Sequence, residues 1–187
     1  MAGDVWADIE STLRKISALP HNVARLRGSG LVPEDEVGQK LREVRRGMIG
    51  TPIKEEFAGP KTFLRVAGTA NRVFSGEWWF DAALLGKLDQ AYSRIYLNGS
   101  ELKQALRTML RETLAISKHW NSIGTIWALQ LPAGETLGAY SGIAAPQTLF
   151  GSAPLTQAGN RLLTGGARQY FFPVKNPLWI TQIRDFT

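Results

Sequence analysis

The sequence predicts an α+β fold, and two observations carry this. Before residue 118 several segments repeat apolar residues at helical spacing; after residue 120 the chain turns to short apolar runs cut by glycine and proline. Helices gathered first and strands gathered mainly last point to segregated layers, not alternating strand-helix-strand units.

The bulk numbers bound the rest. With 187 residues, the chain is one domain or one domain with an extension. Hydrophobic residues make up 44%, enough for a real core. The absence of cysteine excludes disulfides, thiolate-bound metal and a thiol nucleophile. His21 and His119 are too far apart in sequence to suggest a metal site, so no metal is expected. No run of about 18 apolar residues occurs, and no membrane association is expected. Met1 is followed by Asp4, Asp8 and Glu10, not by a basic and then an apolar segment, so a classical secretion signal is not expected. If the chain leaves its cell, a machine or a parent polypeptide carries it. The net charge of +6 permits contact with RNA, DNA or an acidic protein, or simply reflects a basic surface.

In order along the chain, residues 4–18 read as a helix capped by Asp4, with Val5, Ile9, Leu13 and Ile16 on one face and Pro20 ending it. Residues 21–32, with Gly28-Ser29-Gly30, read as a loop. Pro33 opens a second helix with Glu34, Asp35 and Glu36 in its first turn and Arg42, Arg45 and Arg46 near its end, where cations offset the helix dipole. Its thin stripe of Val37, Leu41 and Val44 suits a helix lying on a surface. Residues 1–52 are therefore expected to form a helical extension. Gly50, Pro52, Gly59 and Pro60 punctuate the junction, and residues 53–187 are expected to form the main domain.

Thr62 to Val66 reads as a strand, and Arg65 within it has the ordinary interpretation of an arginine on the solvent side of an edge strand. Asn71 to Phe74 is a short strand or extended loop, and Glu77-Trp78-Trp79-Phe80 follows. Three adjacent aromatics cannot all face one core, so either a tryptophan lines a cleft or one is partly exposed. Asp81 caps a helix over about 82–96 with Leu84, Leu85, Leu88, Tyr92 and Ile95 inward. Asn98-Gly99 turns the chain, and Ser100 opens a helix over about 101–117 with Leu102, Leu106, Met109, Leu110 and Leu114 inward. Strands are expected at 123–131, 136–140, 168–174 and 178–183, with a long loop over 146–164. Gln169 lies inside an apolar strand, where a polar side chain needs a reason.

Several chemistries are not written in this chain. It has no phosphate loop of the glycine-lysine-serine type and no G-x-S-x-G elbow, because Ser141-Gly142 lacks the preceding glycine. No sequence-adjacent carboxylate orients His119, and acidic pairs such as Asp35-Glu36 fall on a solvent face, so a paired-carboxylate hydrolase is not supported.

An ordered set remains: Arg65 on an early strand, Trp120-Asn121, Leu131-Pro132-x-Gly134, Gly142-x-Ala144-Ala145-Pro146-Gln147 and Gly165-Gly166-x-x-Gln169-Tyr170. This set resembles ADP-ribosyltransferase-like toxin domains, and its final part is similar to the tail of the tuberculosis necrotizing toxin family of NAD glycohydrolases. The resemblance covers residues 62–175 and implies two small packed β-sheets with flanking helices and NAD, as substrate, in the cleft between them. It implies that Arg65, with the adjacent Val66 and Ala67, contacts the NAD phosphates or ribose. One of Trp78 or Trp79 would wall the nicotinamide, Asn121, Ser141 and Gly142 would fall in the middle-motif region, and Gln169 would sit near the nicotinamide ribose. A glutamine there is neither base nor anion, in contrast to the glutamate of many transferases. On this resemblance Arg65, Trp78 or Trp79, and Gln169 are expected to line one cleft, and placement of Arg65 and Gln169 on opposite sides of the domain counts against it.

The function implied is an NAD-consuming toxin that passes ADP-ribose to water or to a macromolecular acceptor, protein or RNA. Delivery by a secretion system or release from a larger toxin, action in the target-cell cytoplasm and a cognate immunity protein follow from the same resemblance. Two other readings stand beside it: a basic nuclease or RNA binder using His119 and Arg168, and a non-catalytic binding module in which Arg65 and Gln169 are structural.

Overall fold

A computed structural model describes residues 4–68, 77–93, 99–118, 120–151 and 153–186. The chain opens with three helices, α1 (Val5–Ser17), α2 (Pro20–Gly28) and α3 (Pro33–Gly47). Asp4 caps α1, its side chain accepting from Trp6 N at 3.0 Å. In α3, Glu34, Asp35 and Glu36 occupy the first turn and Arg45 and Arg46 the last, matching the helix dipole at both ends. Three strands follow, β1 (Met48–Ala58), β2 (Lys61–Ala67) and β3 (Trp78–Asp81). Next come α4 (Ala82–Ser93), started by Asp81 accepting from Ala83 N at 2.8 Å, and α5 (Gly99–Thr113). The remainder is β4 (Thr125–Leu131), β5 (Thr136–Ala144), β6 (Gln147–Thr148), β7 (Leu162–Leu163), β8 (Arg168–Phe171) and β9 (Ile180–Asp185).

The α+β class holds, but the main strands form a single hydrogen-bonded sheet of seven in the order β1-β5-β8-β3-β2-β4-β9, beside the small β6-β7 pair. Every neighbouring pair is antiparallel. The seam between β2 and β3 is short, with only Phe63–Asp81 and Leu64–Phe80 in register. It divides the sheet into a β1-β5-β8-β3 lobe and a β2-β4-β9 lobe. The lobes fold toward each other over one apolar cluster, with Phe57, Leu137, Tyr170, Phe172 and Trp79 from the first and Phe63, Leu129, Leu131 and Ile180 from the second. Phe57 and Phe63 lie four places apart in the sheet, yet their ring centroids are 4.9 Å apart. This side of the sheet is called the inner face below.

The helices cover the outer face. Ile9, Leu13, Val37, Val44 and Met48 pack on Tyr140 and Phe171. Leu85, Leu88, Leu106, Leu110 and Leu114 pack on Leu64, Val66, Phe80 and Ile126. Each fully buried side chain of this kind contributes about 1.5–3 kcal/mol of transfer free energy.

Two elements differ from the sequence expectation. Pro20, read as a stop, instead opens α2, because a proline at the first helical position gives up an N–H that has no intrahelical partner anyway. Met48–Ala58 is a strand where glycine and proline suggested a junction. As the edge of the sheet it tolerates Pro52, and its register shifts between Ile49 and Ile53 around Gly50, whose φ is +72°. The expected division at residue 52 falls inside β1, and α1 and α3 share a buried cluster with Tyr140 and Phe171. The loop over 146–164 carries the β6-β7 pair. The strand expected at 71–74, and Ile95 and Asn98 of the helix and turn that follow, lie outside the described residues.

Candidate functional site

Strand alternation decides which expected residues meet. Successive side chains point to opposite faces, and residues paired across a ladder share a face. Trp79 pairs with Tyr170, which pairs with Ser141, and one step past the last β2–β3 pair Arg65 stands opposite Trp79. Arg65, Trp79, Tyr170 and Ser141 therefore form a row on the inner face. Phe80, Gln169 and Gly142 form the neighbouring row on the outer face, with Leu64.

The expectation that Arg65 and Gln169 line one cleft is thus not met by the geometry. Gln169 is 8% exposed, and its Nε2 donates to the carbonyl of Gly47 at the end of α3. Trp78 lies on the same outer side, its ring packed on Phe171 at 5.4 Å between centroids. A Cβ on Gly47 would lie 2.7 Å from the Trp78 ring, so that glycine is what lets α3 approach. Gly142 is close-packed in the same way, since a Cβ there would meet Met48 Sδ at 2.8 Å.

On the inner face, Arg65 donates from a terminal guanidinium nitrogen to the carbonyl of Trp78 at 3.2 Å. Its Nε is buried with no hydrogen-bond partner among the described residues, and so is Nε1 of Trp79, a side chain only 1% exposed. Buried donors without acceptors are rare, since each costs about 1–3 kcal/mol. Around Arg65 the charge is unbalanced. Lys40 of α3 forms an ion pair with Glu77, and Glu77 also receives Phe172 N on its carbonyl at 2.8 Å, which brings the chain after β8 beside it. Lys175, three residues on, senses the charges of Glu77, Arg65 and Lys40. Burial, more than these neighbours, pushes its ammonium down to about 8. Burial likewise lowers the Arg65 guanidinium below its ordinary value, with Glu77 acting in the opposite direction.

The other expected residues are engaged within the fold. Asn121 donates to the Val66 carbonyl at 2.9 Å and accepts from Ile123 N at 2.7 Å. The carbonyl of Ala67 takes Gly124 N at 2.9 Å and the Thr125 hydroxyl at 3.2 Å. These bonds fix the end of β2 just beyond Arg65. Ser141 is fully buried and donates to Glu55, which Arg168 also binds at 2.8 Å. Arg168 is therefore neutralised locally, and His119, its partner in the nuclease reading, lies outside the described residues.

Lys175, Lys40 and Glu77 were not singled out from sequence. The available signal was that Lys175 is the lone charge in the apolar stretch from Tyr170 to Ile180. A groove of about 590 Å³ opens beside it, lined by Thr12, Lys54, Thr136, Tyr140, Lys175 and Trp179 among others. A second hollow of about 510 Å³, at Tyr92, Ser100 and Gln104, lies away from Arg65. No helix among the described residues is long and apolar enough to cross a membrane.

Fold and site together define an α+β domain whose antiparallel sheet closes over one apolar cluster, with the half-buried Arg65 on its inner face. No protein-family model matches the chain, and no curated protein matches it. Among solved structures it is similar to Tne2, solved in complex with Tni2, at 16% identity and a TM-score of 0.40 over 74% of this chain and 93% of that one. It is also similar to Rhs1-CT, solved in complex with its cognate immunity protein RhsI1, at 13% identity and a TM-score of 0.38 over 74% of this chain and 81% of that one. Likenesses this loose assign no activity.

Proposed function

We propose that this chain is a toxin domain that consumes NAD. It holds the dinucleotide against the cationic cluster at Arg65 and cleaves the bond between nicotinamide and ribose. Nicotinamide leaves with the electron pair of that bond. Water or an acceptor hydroxyl or amine, on protein or RNA, adds to the ribose carbon and gives up a proton. Such a reaction asks the protein mainly to bend and fix the dinucleotide and to stabilise an oxocarbenium-like centre.

One observation carries the proposal: the Arg65 side chain is half-buried on the inner face, donates to a carbonyl and keeps a buried Nε without an acceptor among the described residues. A phosphate supplies the missing acceptor and the missing negative charge, and a guanidinium can bind two of its oxygens at once. Of the ordered residue set that resembles NAD-consuming toxin domains, Arg65 supports the same substrate, whereas Gln169 lies on the opposite face. Gln169, which the resemblance places near the nicotinamide ribose, is engaged with Gly47 and holds α3 to β8. Delivery into a target cell and neutralisation by a cognate immunity protein complete the proposal.

The test is loss of NAD with purified protein alone and with cell lysate, beside folded Arg65→Ala and Gln169→Ala variants. Loss with protein alone, abolished by Arg65→Ala, is expected of a glycohydrolase. Loss only with lysate, with label moving onto a macromolecule, marks a transferase. Undiminished NAD in both conditions overturns the proposal.

A further inference from the structure

β5 lies inside the sheet, yet one of its edges is open at the N-terminal end. Ala144 N donates to the Ala167 carbonyl at 2.8 Å, and the Ala144 carbonyl accepts from Gly166 N at 3.0 Å, so both backbone groups of Ala144 point to the β8 side. No β5 residue is skipped in the pairing from Thr136 to Ala144. By alternation the N–H and C=O of Gly142, Tyr140, Gly138 and Thr136 point the same way. β8 meets only Gly142 and Tyr140 of these. Its ladder with β5 ends at the Tyr140–Phe171 pair, and the next residue, Phe172, donates its N–H to the Glu77 carbonyl at 2.8 Å instead. Thr136 and Gly138 are exposed, and on this side their backbone groups have no protein partner among the described residues. A Cβ built on Gly138 would meet nothing within 4 Å.

The gap left by the parting strands is the groove of about 590 Å³, with Thr136 to Tyr140 along one side and Pro173 to Asn176 and Trp179 along the other. Its lining is mixed: Leu137, Val174 and Trp179 are apolar, and Lys54, Lys175 and Glu135 carry charge. Lys54 is paired with Asp8 at 2.9 Å. Lys175 forms no ion pair with Glu135 or with any other described residue. The outer edge of β1 is guarded against a further strand by Pro52 and by the register shift at Gly50, whereas neither device interrupts β5.

We propose that this groove is a peptide slot, in which an extended, acidic segment of a partner protein pairs with Thr136 and Gly138 as an added strand. The segment is about three to five residues long, set by the open length of the edge. Its backbone supplies partners for the N–H and C=O groups that β8 leaves open. A carboxylate on it meets Lys175, the counter-ion that this lysine lacks, and an apolar side chain rests on Trp179. The slot stands whether or not the chain consumes NAD.

Amide NMR of the nitrogen-labelled full chain tests this. The probe is a capped five-residue peptide of alternating valine and threonine with a central aspartate, beside the same peptide with a central lysine. The aspartate peptide is expected to shift the Thr136 and Gly138 amide signals saturably, with a Kd of about 1 mM or tighter, and to slow their hydrogen exchange. Gly138→Pro removes one outward N–H, leaves the ladder with β1 intact and is expected to abolish the response. Lys175→Glu tests the charge without touching the strand. It is expected to weaken the aspartate peptide by about tenfold or more and to reverse the preference between the two peptides. Unmoved Thr136 and Gly138 signals, or equal binding of both peptides by wild type, overturn the proposal. Shifts of the same two amides on raising the protein concentration alone assign the slot to a second copy of this chain and overturn the partner.

Discussion

Arg65 and Trp79 stand opposite each other one step beyond the end of the β2–β3 ladder, and each keeps a buried N–H without an acceptor among the described residues. A fold that needed these donors only for packing would gain by losing them. Arg65→Met keeps most of the volume and removes a desolvated charge. It is expected to hold or raise stability by about 1–3 kcal/mol while abolishing NAD loss. Thermal denaturation read beside the NAD assay decides: a large drop in melting temperature makes the guanidinium structural.

Gln169 presents the opposite case. Its amide is buried against the Gly47 carbonyl, so Gln169→Ala leaves that carbonyl unpaired and is expected to cost about 1–3 kcal/mol. Gln169→Glu sets a carboxylate against the same carbonyl and is expected to cost more than Gln169→Ala. Urea unfolding of the two variants orders them. If the glutamate form is as stable as wild type and more active, the amide faces ribose and not α3.

Lys175 makes stability depend on alkaline pH. Its ammonium titrates near 8 in the folded chain against an ordinary value of 10.5. Between those values the unfolded chain binds the extra proton, so stability rises as pH increases from about 8 to 10.5. The penalty of holding Lys175 charged at neutral pH is about 2–3 kcal/mol and is relieved across that window. Other groups titrate there too, so the measurement is the difference in unfolding free energy between wild type and Lys175→Met at pH 7 and pH 10. A constant difference would show that the lysine is not desolvated.

Removing residues 1–52 strips α1, α2, α3 and the start of β1. It uncovers Tyr140 and Phe171 and deletes Gly47, the acceptor of Gln169. The truncated chain is expected to lose cooperative unfolding. A sharp thermal transition from a soluble 53–187 fragment would show that the helices are dispensable.

Where residues obey strong local physics, the sequence is readable. The caps at Asp4 and Asp81 and the apolar faces of α4 and α5 follow from spacing alone. Gln169 did have a reason for lying in an apolar strand, but the reason is a backbone carbonyl 122 residues earlier, and no local pattern encodes that. β1 was hidden because Gly50 and Pro52 are ordinary signs of a linker, and only edge position makes them compatible with a strand. Lys175 has no local signature, because its distinction is burial by elements distant in sequence. The inner-face row follows from period-two alternation, once the register of β3 with β8 is known.

The sheet order also sets when the molecule can exist during synthesis. β3 is complete at residue 81, yet one of its two neighbours, β8, begins at residue 168. Until the residues from 168 onward have left the ribosome, Trp78 and Trp79 have no partner on that side, and the lobe bearing Tyr170 and Ser141 is open. Lys175 follows β8, and only β9 is added to the sheet after it. A chain cut short before β8 therefore carries Arg65 and Trp79 without Tyr170 and Ser141 beside them.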